Sequence, residues 1–270
     1  MASVGPLART MDDVELAWSL IEQPTWSYFR HLPQRPAGEK SLAEYRVAWF
    51  AEAGGIACDE DTRRVLASFV GKLQSAGVTS VERPLDPEWW REAYQIWALL
   101  FGVIAGQDTP WIGRVLLRRQ LGRMARGTSM GILEPLGKGL GLDLIAFVRA
   151  LRRRIALVAG LEHHLRDVDF IVSPVAAGPA FLHNHSHEPI DLDGRTLPYM
   201  DYVAPFTVAY NACGNPALVV PAGRSRQGLP IGLQIAGPHY SEPDLIRFGR
   251  LVEQLGAAAF TPPERYAVAT

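Results

Sequence analysis

The strand–helix–strand pattern of residues 45–83 is the strongest constraint that this sequence places on its fold. Residues 45–50 read Tyr-Arg-Val-Ala-Trp-Phe and have strand composition, residues 60–76 have the periodicity of an amphipathic helix, and residues 78–83 are strand-like again. Two strands that are joined through a helix pair in parallel. The pattern therefore predicts a βαβ unit and a sheet covered by helices, rather than a helical bundle.

Strands and helices alternate along the rest of the chain. Thr10, with Asp13 three residues later, forms a capping-box pattern that predicts a helix over residues 11–21. The other predicted elements are helices at 89–106, 114–126, from 144 onward, 202–213 and 242–255, and strands at 169–174, 214–223 and 228–237. We expect an α/β fold with a mixed central sheet flanked by helices, in a single domain over residues 1–270.

Two of these helices carry expectations about burial. The helix at 89–106 is apolar around most of its circumference, so we expect its aromatic residues to lie in the core: Trp90, Tyr94 and Trp97. In the long helix, an apolar seam repeats at intervals of four and three residues: Leu144, Val148, Leu151, Ile155 and Val158. The helix thus presents one apolar seam, and we expect the three consecutive arginines 152–154 to lie on its exposed turn.

Composition narrows the function classes. The chain has 270 residues, 48% hydrophobic and 20% charged, and a formal net charge of -1. This charge gives no general attraction to nucleic acid or to an anionic membrane, and no apolar run is long enough to span a bilayer. Two distant cysteines, Cys58 and Cys213, indicate a reducing cytoplasm rather than a disulfide framework.

Three motifs resemble the amidase signature family, serine amidohydrolases that cleave carboxamides. They are the Gly-Pro-Leu-Ala-Arg-Thr element at residues 5–10 and the two Gly- and Pro-bounded apolar runs at 214–223 and 228–237. The resemblance is to the C-terminal part of that family, so it implies a fold that is incomplete on its N-terminal side. It covers residues 5–21, 45–85, 144–175 and 199–256 and implies that residues 86–143 form a variable helical cover over the acyl pocket.

The resemblance also shows which catalytic groups are missing. Family members use a lysine and two serines that precede the Gly-Pro-Leu-Ala-Arg-Thr element, whereas only residues 1–4 precede it here. The chain's lysines are Lys40, Lys72 and Lys138, and none is followed by a Gly/Ser-rich loop. We therefore expect no catalytic residue, no metal and no cofactor, and a chain that is inactive by itself: a truncated reading frame, a fragment of a longer enzyme or a degenerate relative.

Ala204 and Thr207 are the candidate substrate-pocket residues. In relatives that use glutamine, an aspartate that binds the substrate's amino group stands three residues before a threonine equivalent to Thr207. That position is Ala204 here, and an apolar side chain cannot pair with an ammonium group. The resemblance thus implies that the complete fold would bind a small uncharged or aromatic amide.

Alternative functions remain open at this point. The chain could be a non-catalytic binding or assembly module that forms a homo-oligomer, because loss of the catalytic strands would leave apolar sheet surface uncovered. Residues 127–131 (Gly-Thr-Ser-Met-Gly) match the nucleophile elbow of α/β hydrolases, with Ser129 as nucleophile, although a basic helix rather than a strand precedes them. That helix could bind phosphate or RNA, but a solvated face is the simpler interpretation. His183, His185 and His187 could offer imidazoles to a metal, although a solvated loop is the favoured interpretation.

Overall fold

A computed structural model describes residues 3–22, 39–124, 131–258 and 260–262. The helices there are α1 (Met11–Ile21), α2 (Glu60–Ser75), α3 (Pro87–Gly106), α4 (Trp111–Met124), α5 (Leu133–Gly139), α6 (Leu144–His164), α7 (Tyr199–Val203), α8 (Val208–Cys213) and α9 (Glu242–Gln254). The strands are β1 (Arg46–Trp49), β2 (Glu52–Ala53), β3 (Ile56–Ala57), β4 (Thr79–Glu82), β5 (Phe170–Pro174), β6 (Ile190–Leu192), β7 (Arg195–Leu197), β8 (Ala217–Arg224) and β9 (Pro230–Ala236).

A mixed five-stranded sheet organises the described residues, in the order β4-β1-β5-β9-β8. Strand β1 is parallel to β4 and to β5, and β9 is antiparallel to both β5 and β8. Because α2 connects β1 to β4, the predicted βαβ unit is confirmed. Every residue of β5 is buried, so the hydrophobic core surrounds this central strand.

Aromatic side chains from α3 join the core. Trp90 and Tyr94 are fully buried, as predicted, and Trp97 packs against the core and stacks on Phe101. The indole N–H of Trp90 donates to the carbonyl of Pro205 at 2.7 Å, which satisfies the polar atom that burial would otherwise leave without a partner.

The N-terminal helix begins where the sequence predicts. The Thr10 hydroxyl accepts a hydrogen bond from the backbone N–H of Asp13 at 3.2 Å and donates to the Asp13 carboxylate at 2.8 Å. Helix α1 packs along α9, where the backbone N–H of Met11 donates to the Glu253 carboxylate at 3.2 Å. These contacts hold the start of α1 against α9.

In the long helix Arg152 and Arg153 are exposed, as expected, whereas Arg154 is partly buried. The apolar seam of this helix lies largely on the surface, with Leu144 75% exposed and Ile155 65% exposed. Helix α6 instead buries Ala150, Leu157 and Leu161. Two arginines contact neighbouring elements: Arg153 pairs with Glu92 at 2.6 Å, and Arg154 donates to backbone carbonyls of α8.

The predicted helix over residues 202–213 is wrong, because the structure divides this segment into α7 and α8. Pro205 lies at the break, where it lacks a backbone N–H and disfavours helical geometry at the residue before it. The backbone at Ala204 accordingly has φ -125° and ψ 0°. Helix α8 then begins after Thr207, so the break sets the positions of both candidate pocket residues.

Candidate functional site

A groove of about 820 Å³ runs along strand β8. Residues 3–11 form one wall, and residues of α9, including Leu245 and Gly249, line it as well. Polar residues of α6, α8, β9 and the segments before α8 and β8 also line the groove: Arg154, Asn211, Gln234, Thr207 and Asn215. This mixture of apolar walls and a few polar groups is typical of a site that binds a small molecule or a peptide segment.

The two candidate pocket residues differ in their relation to the groove. Thr207 lines it, at the start of α8, and its side chain makes no helix-capping hydrogen bond. Ala204 is not among the lining residues; it is partly buried and packs against the core. The structure therefore brings only Thr207 directly to the groove.

A buried polar contact positions α8 beneath the groove. The Gln234 amide donates to the Ser173 hydroxyl at 3.2 Å and to the carbonyl of Phe206 at 3.0 Å, next to Thr207. Gln234 and Ser173 are almost completely buried. Burial also raises the pKa of the Tyr210 phenol far above its usual range, so this groove-lining group remains neutral.

A second polar cluster lies at the C-terminal end of α8, and no local sequence pattern indicates it. One Glu162 carboxylate oxygen lies 2.7 Å from Nδ1 of His239 and accepts from the Asn215 amide at 2.9 Å. The other ring nitrogen of His239 lies 3.2 Å from the carbonyl oxygen of Cys213. Arg154 donates to the same carbonyl at 2.9 Å.

This His–carboxylate pair has a structural role in the described residues. A catalytic pair would hold its imidazole against a nucleophile, whereas the Nε2 of His239 faces a backbone carbonyl. Burial raises the pKa of the neighbouring Cys213 thiol to about 12, which keeps it protonated and unreactive. The cluster thus fixes the end of α8 by occupying carbonyls that the helix leaves unpaired.

The three lysines of the chain are all described, and each is engaged away from a serine. Lys40 forms an ion pair with Asp169. Lys72 donates to the carbonyl of Gly256 at 3.0 Å, and Lys138 pairs with Glu134 at 2.7 Å. No hydrogen bond joins a lysine to a serine in the described part of the chain, so no serine–lysine relay is assembled there.

The other sequence candidates have different outcomes. Ser129 lies outside the described residues. The imidazoles of His183 and His185 stack in parallel with centroids 5.7 Å apart, and His187 packs edge-on against Tyr199. Across residues 3–22, 39–124, 131–258 and 260–262, His, Cys, Asp and Glu form no group of three that could hold a metal, and no helix is long and apolar enough to cross a bilayer.

Comparison with known proteins identifies the family of this chain. A family model described as Amidase matches residues 1–246. The chain belongs to the amidase signature family. Among curated relatives, it is 37% identical over 276 positions to a glutamyl-tRNA(Gln) amidotransferase subunit from Acidobacterium capsulatum, covering 93% of this chain and 56% of the relative. It is 34% identical over 281 positions to the same-named protein of Nitrobacter hamburgensis, with 96% and 55% covered.

Solved amidase-family structures share the fold. A crystal structure of an amidase superposes with a TM-score of 0.65 at 19% identity, over 93% of this chain and 52% of that one. The glutamyl-tRNA(Gln) amidotransferase subunit from Thermotoga maritima superposes with a TM-score of 0.62 at 17% identity, with 93% and 52% covered. The chain thus spans about half the length of the family members that it matches.

Proposed function

We propose that this chain supplies the pocket-forming part of an amidase-type carboxamide hydrolase and hydrolyses no amide by itself. The observation that carries this proposal is the engagement of every lysine away from serine, within a chain of established amidase ancestry. An amidase relay needs a neutral lysine that accepts a proton through one serine from another. Without nucleophile and base, binding contacts alone leave at most a small residual rate enhancement.

Active-site labelling tests this proposal directly. The purified chain is treated with a fluorophosphonate probe beside a full-length amidase as positive control. We expect strong labelling of the control and none of the chain, and no release of ammonia from acetamide or benzamide. Stoichiometric labelling of any serine would overturn the proposal. The variant Ser129→Ala would show whether such labelling came from the Gly-Thr-Ser-Met-Gly segment.

The substrate class proposed for the complete fold is an uncharged or aromatic carboxamide. Ala204 supports this class, because a methyl group cannot compensate the desolvation of a substrate ammonium. Residues 86–143 would cover the pocket within the single domain. When the missing part is supplied, benzamide should be cleaved faster than glutamine, and Ala204→Asp should shift this preference toward glutamine. An unchanged preference in that variant would refute the assignment of Ala204.

A non-catalytic assembly module is the second candidate function. The exposed seam of α6 favours it, since Leu144, Val148, Leu151 and Ile155 form apolar surface on one helix. Light scattering distinguishes this candidate: concentration-dependent association that Ile155→Glu abolishes would support it, whereas a monomer at all concentrations would count against it. With either candidate function we propose a cytoplasmic protein that binds neither membranes nor nucleic acid. The free, buried state of both described cysteines supports the cytoplasmic location.

A further inference from the structure

Helix α4 turns a group of apolar side chains outward. Trp111 is 69% exposed and Leu116 is 60% exposed, and Ile112 and Val115 between them are exposed as well. These residues stand at positions i, i+1, i+4 and i+5, which places them on one face of the helix. A contiguous exposed apolar group of this kind marks an interaction surface.

The opposite face of α4 packs against the protein and takes two of the arginines with it. Helix α4 packs on α5, and α5 packs on α3. The Nε atom of Arg114 is buried, and a Cβ atom on Gly106 in α3 would lie 3.5 Å from the Cδ of this arginine. A Cβ atom on Gly137 in α5 would lie 3.7 Å from the Cγ of Arg118. The arginines of this helix therefore do not share a single exposed basic face.

Arg119 is an exposed charge on the outward face. It follows Val115 by four residues and Trp111 by eight, so these three side chains form one i, i+4, i+8 ridge along the helix. The ridge begins with an indole ring, ends with a guanidinium group and has Val115 at its midpoint. Helix α4 contains no acidic residue.

We propose that the outward face of α4 docks on the same face of a second copy of this chain, with the two helices antiparallel about a twofold axis at Val115. A twofold contact requires a surface that is complementary to itself. Because Val115 lies midway between Trp111 and Arg119, this axis places Arg119 of each copy against Trp111 of the other. An indole ring is the best aromatic partner for a guanidinium cation. The contact therefore forms twice in one dimer, with apolar side chains between the two.

The charges of the outward face favour a second copy over a lipid surface. In the antiparallel dimer the two copies of Arg119 lie about 12 Å apart along the helix axes, since eight residues separate their positions. This distance exceeds the Debye length at physiological ionic strength, so their repulsion is largely screened. Helices that bind anionic lipid carry several basic residues beside the apolar face, whereas Arg114 is turned toward the protein here. This inference does not depend on the proposed hydrolase role.

The first test measures the dissociation constant of the dimer by analytical ultracentrifugation of the full 270-residue chain. Trp111→Leu and Arg119→Met should each weaken the dimer about tenfold, because two cation–π contacts are lost. The double variant should weaken it by less than the product of the two single effects, since the residues act as a pair. Val115→Glu should weaken it about a hundredfold, because two carboxylates then meet on the axis.

Ile155→Glu is the matched control for these variants. Ile155 is an exposed apolar residue in a helix, as Val115 is, but it belongs to α6. Its replacement introduces the same charge outside the proposed contact. We expect it to change the dissociation constant less than about twofold, which is the usual effect of a surface substitution.

The second test locates the axis by oxidative cross-linking. Val115→Cys should form a disulfide-linked dimer, because the two copies of this residue meet on the axis. Arg119→Cys should not, since about 12 Å along the helix axes exceeds the Cα separation that a disulfide can bridge. The native Cys58 and Cys213 are buried, so they leave the introduced thiol as the accessible one.

Several results would overturn the inference. One is a chain that is monomeric at all concentrations, and another is a dimer that Ile155→Glu abolishes and Val115→Glu preserves, which would move the contact to α6. Equal cross-linking of Val115→Cys and Arg119→Cys would refute the axis at Val115. A monomeric chain that sediments with vesicles of phosphatidylserine and phosphatidylcholine would favour a lipid surface instead. Cross-linking remains decisive if Val115→Glu does not fold.

Discussion

Replacement of Gly139 by alanine tests how closely α3 and α5 cross. A Cβ atom on Gly139 would lie 2.1 Å from the carbonyl oxygen of Leu99 and 2.9 Å from the Cα of Gly102. A backbone carbonyl cannot rotate out of the way as a side chain can, so the two helices must separate by about 1 Å to accept the methyl group. Overpacking of this kind costs up to about 3 kcal/mol, and the higher helix propensity of alanine offsets at most about 1 kcal/mol.

We therefore expect Gly139→Ala to lower the free energy of unfolding by about 2 kcal/mol, measured by urea denaturation followed by circular dichroism. Gly71→Ala is the matched control, because Gly71 lies inside α2 and a methyl group on its Cα would meet no atom within 4 Å beyond the adjacent backbone of its own helix. That control should be stabilised by about 0.5–1 kcal/mol. A Gly139→Ala protein as stable as the wild type would refute the tight crossing, and an equal loss in the control would refute the helix contact as its cause.

Three further predictions concern single side chains. Burial, and to a lesser extent the nearby Arg83, lowers the pKa of His164 below its usual 6.5. The free energy of unfolding should therefore fall as the pH drops through 6.5, because the unfolded chain takes up the proton first. His164→Phe should reduce the difference between the urea midpoints measured at about pH 7.5 and about pH 5.5. Arg154→Met should cost about 1.5–3 kcal/mol in urea denaturation, because the carbonyls of Ala212 and Cys213 lose a charged donor. Asp86→Ala should lower the thermal midpoint through a loss of about 1 kcal/mol, as Asp86 caps the first turn of α3.

The elements that the sequence predicts well depend on local signals. The βαβ unit at 45–83 combines period-two and period-3.6 patterns, and its two strands pair in parallel as expected. The start of α1 depends on Thr10 and Asp13, whose side chain and backbone meet within one turn. Such features are set by residues a few positions apart, so a single sequence contains the information.

The features that the sequence does not predict depend on distant partners. The apolar seam of α6 lies largely on the surface, while Arg153 and Arg154 contact Glu92 and the end of α8, which are distant in the sequence. Glu162 and His239 are far apart in the chain and follow no motif spacing, so no local pattern could indicate their contact. The break between α7 and α8 is different, because the sequence does contain a signal for it. Pro205 breaks helices, but the prediction followed the apolar periodicity instead.

The contacts of Lys40 in the described structure differ from those of a relay lysine. A relay lysine must present a neutral amine to a serine, with room for that serine beside it. The Lys40 ammonium instead pairs with Asp169 and lies 5.2 Å from the centre of the Tyr45 ring, and both contacts involve its positive charge. The second oxygen of Asp169 accepts from the backbone N–H of Arg46 at 2.8 Å at the start of β1. Recruiting Lys40 as a base would therefore break its ion pair with Asp169, the residue that also bonds to Arg46 at the start of β1.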